Sequence, residues 1–334
     1  MKVYRGSDIR NVAVVGHAHS GKTTLIAALL HAARMTPALG RVEDGSAVTA
    51  YDEEDIARRT TMANAVAFAE WNDVKINLVD TPGFHMFVHE SRAAMLPVEA
   101  AVVVVNAREG SETVTDRVWK FAAEVNLPRV IAINQVDHTK ADSRIGRQQM
   151  IEAMQEKWGR QVVPVQLPIV DKDGFHGVVD LVTMQAFLYK PDGDGRGEIG
   201  KIPEQFANDA KAAHEALVEL VAEGKDDLME EFFSVGTIPE QHLISALHEA
   251  IREDRIFPVL YVSGLRNVGT DHLLDFLKVY APSPVEREPV AVKGFQRGSS
   301  GHSNGEARAA DLEVQEEIVM RHVDDKEPLA IYVY

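Results

Sequence analysis

Gly16-His17-Ala18-His19-Ser20-Gly21-Lys22-Thr23 is the stretch that decides the fold. It fits G-x-x-x-x-G-K-[ST] at every fixed position. The apolar run before it, Val12-Ala13-Val14-Val15, reads as a buried strand, and Thr24-Leu25-Ile26-Ala27-Ala28-Leu29-Leu30 after it reads as a helix. A phosphate cradle needs this order. The two glycines let the backbone of His17, Ala18, His19 and Ser20 turn tightly and aim its N–H groups inward, and the helix N-terminus at Thr23 and Thr24 adds positive dipole. The Lys22 ammonium reaches the β- and γ-phosphates, while the Thr23 hydroxyl ligates Mg²⁺.

Outward from this loop, strands and helices alternate. Strands are expected at Asn11–Val15, Ala65–Ala69, Lys75–Asp80, Ala100–Asn106, Arg129–Asn134 and Ile256–Val262. Helices are expected at Lys22–Ala33, His85–Met95, Glu112–Val125, Ala141–Lys157 and Val268–Tyr280. Such alternation implies an α/β fold, a mostly parallel sheet covered on both faces, with ligands at the carboxyl ends of the strands. Residues 9–166 and 255–282 form this unit in our reading. The pattern breaks over 167–254. There Gly174–Val182 reads as a hairpin strand, Pro203–Phe233 as one long acidic helical stretch and Pro239–Glu253 as another helix. This is read as an α+β insertion. Residues 283–310, with Pro282-Ser283-Pro284, Pro289 and the small polar run Gly298–Ala309, read as a linker and flexible loop. Residues 311–334, ending in Leu329-Ala330-Ile331-Tyr332-Val333-Tyr334, read as the start of a truncated second domain.

Bulk composition narrows the function classes. The chain has 334 residues, enough for two domains, and 45% are hydrophobic, enough for a full core. Cysteine is absent, which removes disulfides, Cys-ligated zinc and thiol catalysis together and fits a reducing cytoplasm. No apolar run approaches the roughly 18 residues of a membrane span, and Met1–Arg10 has no signal-peptide core. The net charge of −16 argues against non-specific nucleic-acid binding and gives no support to sequence-specific DNA recognition.

Four more segments fall on loops at the same rim. Asp80-Thr81-Pro82-Gly83 ends a strand: Asp80 can hold Mg²⁺ through water and Gly83 can offer an N–H to the γ-phosphate. Asn134-Gln135-Val136-Asp137 ends another. The Asp137 carboxylate can accept from both N1–H and the 2-amino group of guanine, donors that adenine lacks. Ser263-Gly264-Leu265 can bring a backbone N–H to guanine O6, and in Arg58-Arg59-Thr60-Thr61-Met62 a threonine hydroxyl can complete the Mg²⁺ shell. Each segment alone could be ordinary turn chemistry. Their order behind a complete phosphate loop points to GTP and GDP.

At this point the chain resembles translational GTPases, most closely elongation factor G and its paralogues. The likeness covers about residues 9–290. It rests on Gly21-Lys22-Thr23-Thr24, Asp80-Thr81-Pro82-Gly83, Phe175-His176-Gly177-Val178-Val179-Asp180-Leu181 in the insertion, Asp227-Leu228-Met229-Glu230 and Ala281-Pro282-Ser283-Pro284. The resemblance implies a P-loop G domain with an inserted subdomain, then a β-barrel domain. It implies Mg²⁺-dependent GTP hydrolysis coupled to the ribosome in a translocation-type role. Lys22, Thr61 and Gly83 would serve catalysis, and Thr23, Thr61 and Asp80 would serve the metal. Gly16 to Thr24, Asn134, Gln135, Asp137, Ser263, Gly264 and Leu265 would bind nucleotide.

Departures from the family pattern are as informative. The family has a water-orienting histidine after D-T-P-G; here Phe84 follows, and a phenyl ring has no hydrogen-bonding group. His85 is one residue later, about 100° around a helix. This opens an alternative, a ribosome-associated switch with slow or no hydrolysis. Gln135 replaces a lysine, so weaker nucleotide affinity is expected; His19 replaces an acidic residue and Arg59 a glycine. The histidines form no H-E-x-x-H, His214-Glu215, His248-Glu249 and Glu230-Glu231 read as solvated faces, and Trp71, Trp119 and Trp158 read as isolated packing residues.

Overall fold

The computed structural model describes residues 2–138, 144–172, 174–191, 193–235, 238–296 and 315–324. Its centre is a seven-stranded sheet. Three strands carry the rim loops: β1 (Ile9–Gly16), β3 (Val74–Asp80) and β5 (Arg129–Asn134). With β2 (Ala65–Trp71), β4 (Ala100–Asn106), β6 (Val162–Pro164) and β11 (Phe257–Tyr261) they lie in the order β2-β3-β1-β4-β5-β11-β6. β4 is buried at every position, because helices cover both of its faces. Alternation along β1 divides the core. Val12 and Val14 point to one side with Leu25, Ile26 and Leu273, and Ala13 and Val15 to the other with Val118, Trp119 and Ile131.

The first face is covered by α1 (Lys22–Ala32) and α9 (Thr270–Tyr280), the second by α3 (Val88–Ala94), α4 (Thr113–Glu124) and α5 (Arg144–Trp158). Every neighbouring pair in the sheet is parallel except one. β2 runs antiparallel to β3, with Trp71 opposite Val74. The turn between them is Asn72-Asp73, both at positive φ (44° and 70°), the left-handed pair that a two-residue hairpin demands. A short helix, α2 (Glu53–Arg58), precedes this hairpin, capped by the Asp52 carboxylate accepting from Glu54 N–H.

A second, antiparallel sheet has the order β10-β9-β8-β7, made of β7 (Gln166–Asp171), β8 (Gly174–Asp180), β9 (Gln185–Leu188) and β10 (Glu198–Gly200). Three helices follow: α6 (Glu204–Ala222), α7 (Asp226–Val235) and α8 (Glu240–Arg252). The single helical stretch expected over Pro203–Phe233 is thus two helices, broken at Glu223-Gly224-Lys225. Gly224 stands against the Arg255 guanidinium, which would have to move aside for a side chain there.

Residues Val290–Gln296, expected in a linker, form β12, paired antiparallel with β13 (Gln315–Arg321). The expected loop Gly298–Ala309 and the expected strand Leu329–Tyr334 lie outside the described residues. Trp119 and Trp158 are not isolated: their rings stack at 4.2 Å and 10°, joining α4 to α5. Trp71 donates from Nε1 to Asp275 Oδ1 at 2.7 Å, tying the hairpin to α9.

Candidate nucleotide-binding site

The carboxyl ends of β1, β3, β5 and β11 bring the expected loops together. Gly16 leaves β1 at φ +143°, where a Cβ would strike the Val104 carbonyl, and Gly21 caps α1 in the left-handed region at φ +84°. Between them the Ala18 N–H donates to Gly83 O at 2.9 Å, and Ser20 Oγ donates to His17 O at 2.9 Å. A side chain at Gly83 would come within 2.5 Å of Ala18 N and 2.7 Å of the His17 carbonyl carbon, and would also strike Lys22 Nζ. Only glycine lets the loop after β3 press this closely on the phosphate loop.

Lys22, Thr23, Thr24, Ala18, His19, Gly21, Thr61, Gly83 and Gln135 line one cavity of about 430 Å³, with Phe84 and Arg59. Lys22 Nζ donates to Gly16 O at 3.1 Å and His17 O at 2.8 Å. Burial lowers its pKa to about 8. Thr23 Oγ1 and Thr61 Oγ1 are hydrogen-bonded at 3.1 Å, so two loops 38 residues apart place their hydroxyls side by side. Behind them Asp80 is fully buried. Its Oδ2 accepts from Thr49 Oγ1 at 2.7 Å, its Oδ1 has no partner, and burial pushes its pKa up against these bonds.

The opposite shifts of Lys22 and Asp80 have one cause. Each charge is desolvated and only partly offset by the other, so an anion beside the lysine and a cation beside the carboxylate would relieve both. A Mg²⁺-bound polyphosphate brings both charges, and two hydroxyls plus one indirect carboxylate suit an ion that keeps much of its shell for phosphate and water. Among the described residues no group of three or more His, Asp or Glu side chains could hold a metal ion.

Around β5 the structure revises one expectation. Asn134, expected to read guanine, is buried and spends both amide hydrogens on the phosphate loop, at 2.9 Å from Ser20 O and 3.3 Å from Gly21 O. Its Oδ1 accepts from Gly264 N–H at 3.0 Å. It therefore staples three loops, and the Gly264 N–H expected near the base is part of the same staple. Ser263 is buried, its Oγ accepting from Arg266 N–H, and Leu265 is half-exposed beyond it. Gln135, at φ +64°, donates from Nε2 to His19 O at 2.8 Å and accepts from Asn106 Nδ2 at 3.3 Å. Asp137 lies outside the cavity lining, with a buried Oδ1 that has no partner. The His17 side chain also points away: Nδ1 accepts from Val114 N–H at 3.4 Å and Nε2 lies 3.4 Å from Glu112.

Three supporting residues carry no motif signal. Thr49 binds Asp80 from 31 residues away. Asp55 Oδ1 accepts from Met62 N–H at 3.2 Å and so shapes the loop holding Thr61. Ser91 Oγ donates to Pro82 O at 2.8 Å, fixing the turn before Gly83.

The elongation factor Tu GTP binding domain family matches residues 7–283. The chain belongs to this family of translational GTPase domains. A crystal structure of a protein from Thermus thermophilus superposes with a TM-score of 0.78 at 31% identity, over 85% of this chain and 42% of that one. The translational GTPase domain described here thus spans less than half the length of that relative. Among its described residues no helix is long and apolar enough to cross a membrane.

Proposed function

We propose that this chain binds GTP and GDP with Mg²⁺ and hydrolyses GTP in partnership with the ribosome, as a factor of the elongation-factor-G type. The observation that carries the reading is the pairing of a desolvated Lys22 with an orphaned Asp80 oxygen across the Thr23–Thr61 contact. Mg²⁺ held by Thr23 and Thr61, with Asp80 behind them, would offset charge on the phosphoryl group in transfer. The rest belongs to the chain. Lys22 meets the β- and γ-phosphates, the N–H groups at the start of helix α1 fix their position, and Gly83 brings its own strand end against them. The free Asp137 oxygen is an acceptor suited to the two guanine donors, and leaving it unpaired against adenine favours GTP. Ribosome coupling and a cytoplasmic setting follow the family resemblance, as does the α+β insertion over 167–254 in a G domain of 9–166 and 255–282.

Titration with fluorescent GDP, GTP and ATP analogues tests the base and the phosphates. Guanine nucleotides bind, adenine nucleotides do not, and Asp137→Ala erodes the difference. No detectable binding of either guanine nucleotide to folded protein overturns the reading.

A second reading rests on Phe84. Its ring is 37% exposed at the mouth of the cavity and has nothing to offer a water, and His85 is exposed on the following turn. This favours a GTP-dependent switch with slow hydrolysis. Multiple-turnover phosphate release with and without ribosomes separates the two. A slow switch is accelerated by Phe84→His; a competent GTPase turns over without it.

A further inference from the structure

Three departures from the family pattern, far apart in sequence, touch one another. The His19 ring meets the Phe84 ring edge-to-face at 5.5 Å and 90°, and the His19 carbonyl accepts from Gln135 Nε2 at 2.8 Å. His19 and Gln135 both sit in the left-handed region, at φ +62° and +64°. A histidine held there is strained, and the side-chain bond from Gln135 is one of the contacts that hold it.

Hydrolysis needs a hydrogen-bond acceptor that holds the attacking water. The cavity offers few. Lys22 and Arg59 only donate. Thr23 and Thr61 bond to each other, Thr60 Oγ1 donates to Arg58 O, Gln135 Oε1 accepts from Asn106, and Asp55 Oδ1 accepts from Met62 N–H, while the Thr24 hydroxyl is a further neutral acceptor on the lining. Glu43 lines the cavity as an anion, which a triphosphate repels. Among the described residues the His19 ring nitrogens make no hydrogen bond, so the imidazole is an acceptor in reserve. The Ala18–Gly83 hydrogen bond of 2.9 Å ties the loop that carries the exposed His19 to the turn before Phe84.

We propose that His19 orients the attacking water of GTP hydrolysis, supplying from the phosphate loop the imidazole that Phe84 cannot. The proposal rests on the GTPase reading above. A ring nitrogen of His19 accepts a hydrogen bond from the water. The water oxygen forms a bond to the γ-phosphorus as the bond from that phosphorus to the β,γ-bridging oxygen breaks. The electron pair leaves with GDP, and the water proton departs with inorganic phosphate. Phe84 walls the imidazole in place by its edge-to-face contact.

A double-mutant cycle on the full chain tests this, using single-turnover GTP hydrolysis with and without ribosomes and fluorescent-GDP affinity as the check on folding. His19→Ala slows hydrolysis at least about tenfold and changes GDP affinity less than about threefold. Phe84→His raises the rate in the His19→Ala background by a factor several times larger than any change it makes in wild type, so the two changes are strongly non-additive. The proposal is overturned if His19→Ala hydrolyses as fast as wild type, or if Phe84→His accelerates both backgrounds equally. It is also overturned if the rate loss is matched by lost GDP affinity, which assigns His19 a loop-holding role. Absence of guanine-nucleotide binding in wild type fells the GTPase reading instead, so the two failures are distinguishable.

Discussion

Two polar regions of the molecule treat buried charge differently. At the seam between the second sheet and α9, carboxylates are saturated. Asp271 accepts from Tyr189 Oη at 2.6 Å and from Gly197 N–H at 2.8 Å, and Asp180 accepts from Val182 and Thr183 N–H and pairs with His272 Nε2 at 2.8 Å. At the nucleotide rim, Asp80 and Asp137 each keep a buried oxygen without a partner, and Lys22 meets only carbonyls. Charges that answer one another hold a structure together. Charges left unanswered are a standing cost to the fold, and at the rim the function proposed above makes a ligand the partner; at the seam the unpartnered buried atom is His272 Nδ1.

This contrast breaks if the two sets of residues respond alike to mutation. The largest effect is expected at the seam. Asp180→Ala leaves His272 buried without its counter-charge and lowers unfolding free energy by about 3–5 kcal/mol, read by urea denaturation, with GDP affinity held within about twofold. At the rim the sign reverses. Lys22→Met weakens GTP binding about 100-fold, by loss of a charge-assisted contact, while the unfolding midpoint without nucleotide stays level or rises because a desolvated ammonium is gone.

A pH series sharpens the seam. Burial works to lower the His272 pKa, but the bond to Asp180 and the charges of Asp180, Asp271 and Asp275 outweigh it and hold the imidazole above 6.5. Burial works to raise Asp180, and His272 with two backbone N–H groups holds it below 3.8. The His272 contribution is therefore complete below pH 6.5 and fades as pH rises through the raised value. That of Asp180 is complete above pH 3.8 and fades on acidification. Urea midpoints of wild type and His272→Asn converge as pH climbs past neutrality; parallel curves would show the pair to be unimportant. The smallest effect belongs to the surface. Lys211→Ala, which breaks an exposed pair with Glu215 on α6, changes stability by less than about 0.5 kcal/mol.

The sheet is legible in the sequence because its strands announce themselves. Ala100–Asn106 and Arg129–Asn134 match β4 and β5 to the residue, since a run buried on both faces is apolar between its ends. The phosphate loop is legible because its glycines answer to backbone geometry. The antiparallel course of β2 is masked, although Asn72-Asp73 is a hairpin signature, because the alternation of strands and helices dominates the pattern around it. The break at Gly224 is hidden because acidic residues continue through it. The motif assigns Asn134 to the base. In the structure its amide meets the carbonyls of residues 20 and 21, and spacing along a chain cannot report where an amide turns in space. Thr49 is invisible for the same reason: its tie to Asp80 depends on how a long loop folds back.

The parallel contact of Trp119 with Trp158 has a practical consequence. Two indoles stacked at 4.2 Å are close enough to couple their excited states, and an angle between their in-plane transition dipoles would show as paired circular-dichroism bands of opposite sign. α4 begins beside His17 of the phosphate loop, through the Val114 and Thr115 contacts, and the stacked rings sit further along the same helix. The chain thus carries its own optical gauge of whether that helix shifts against α5 when nucleotide arrives, one that needs no label.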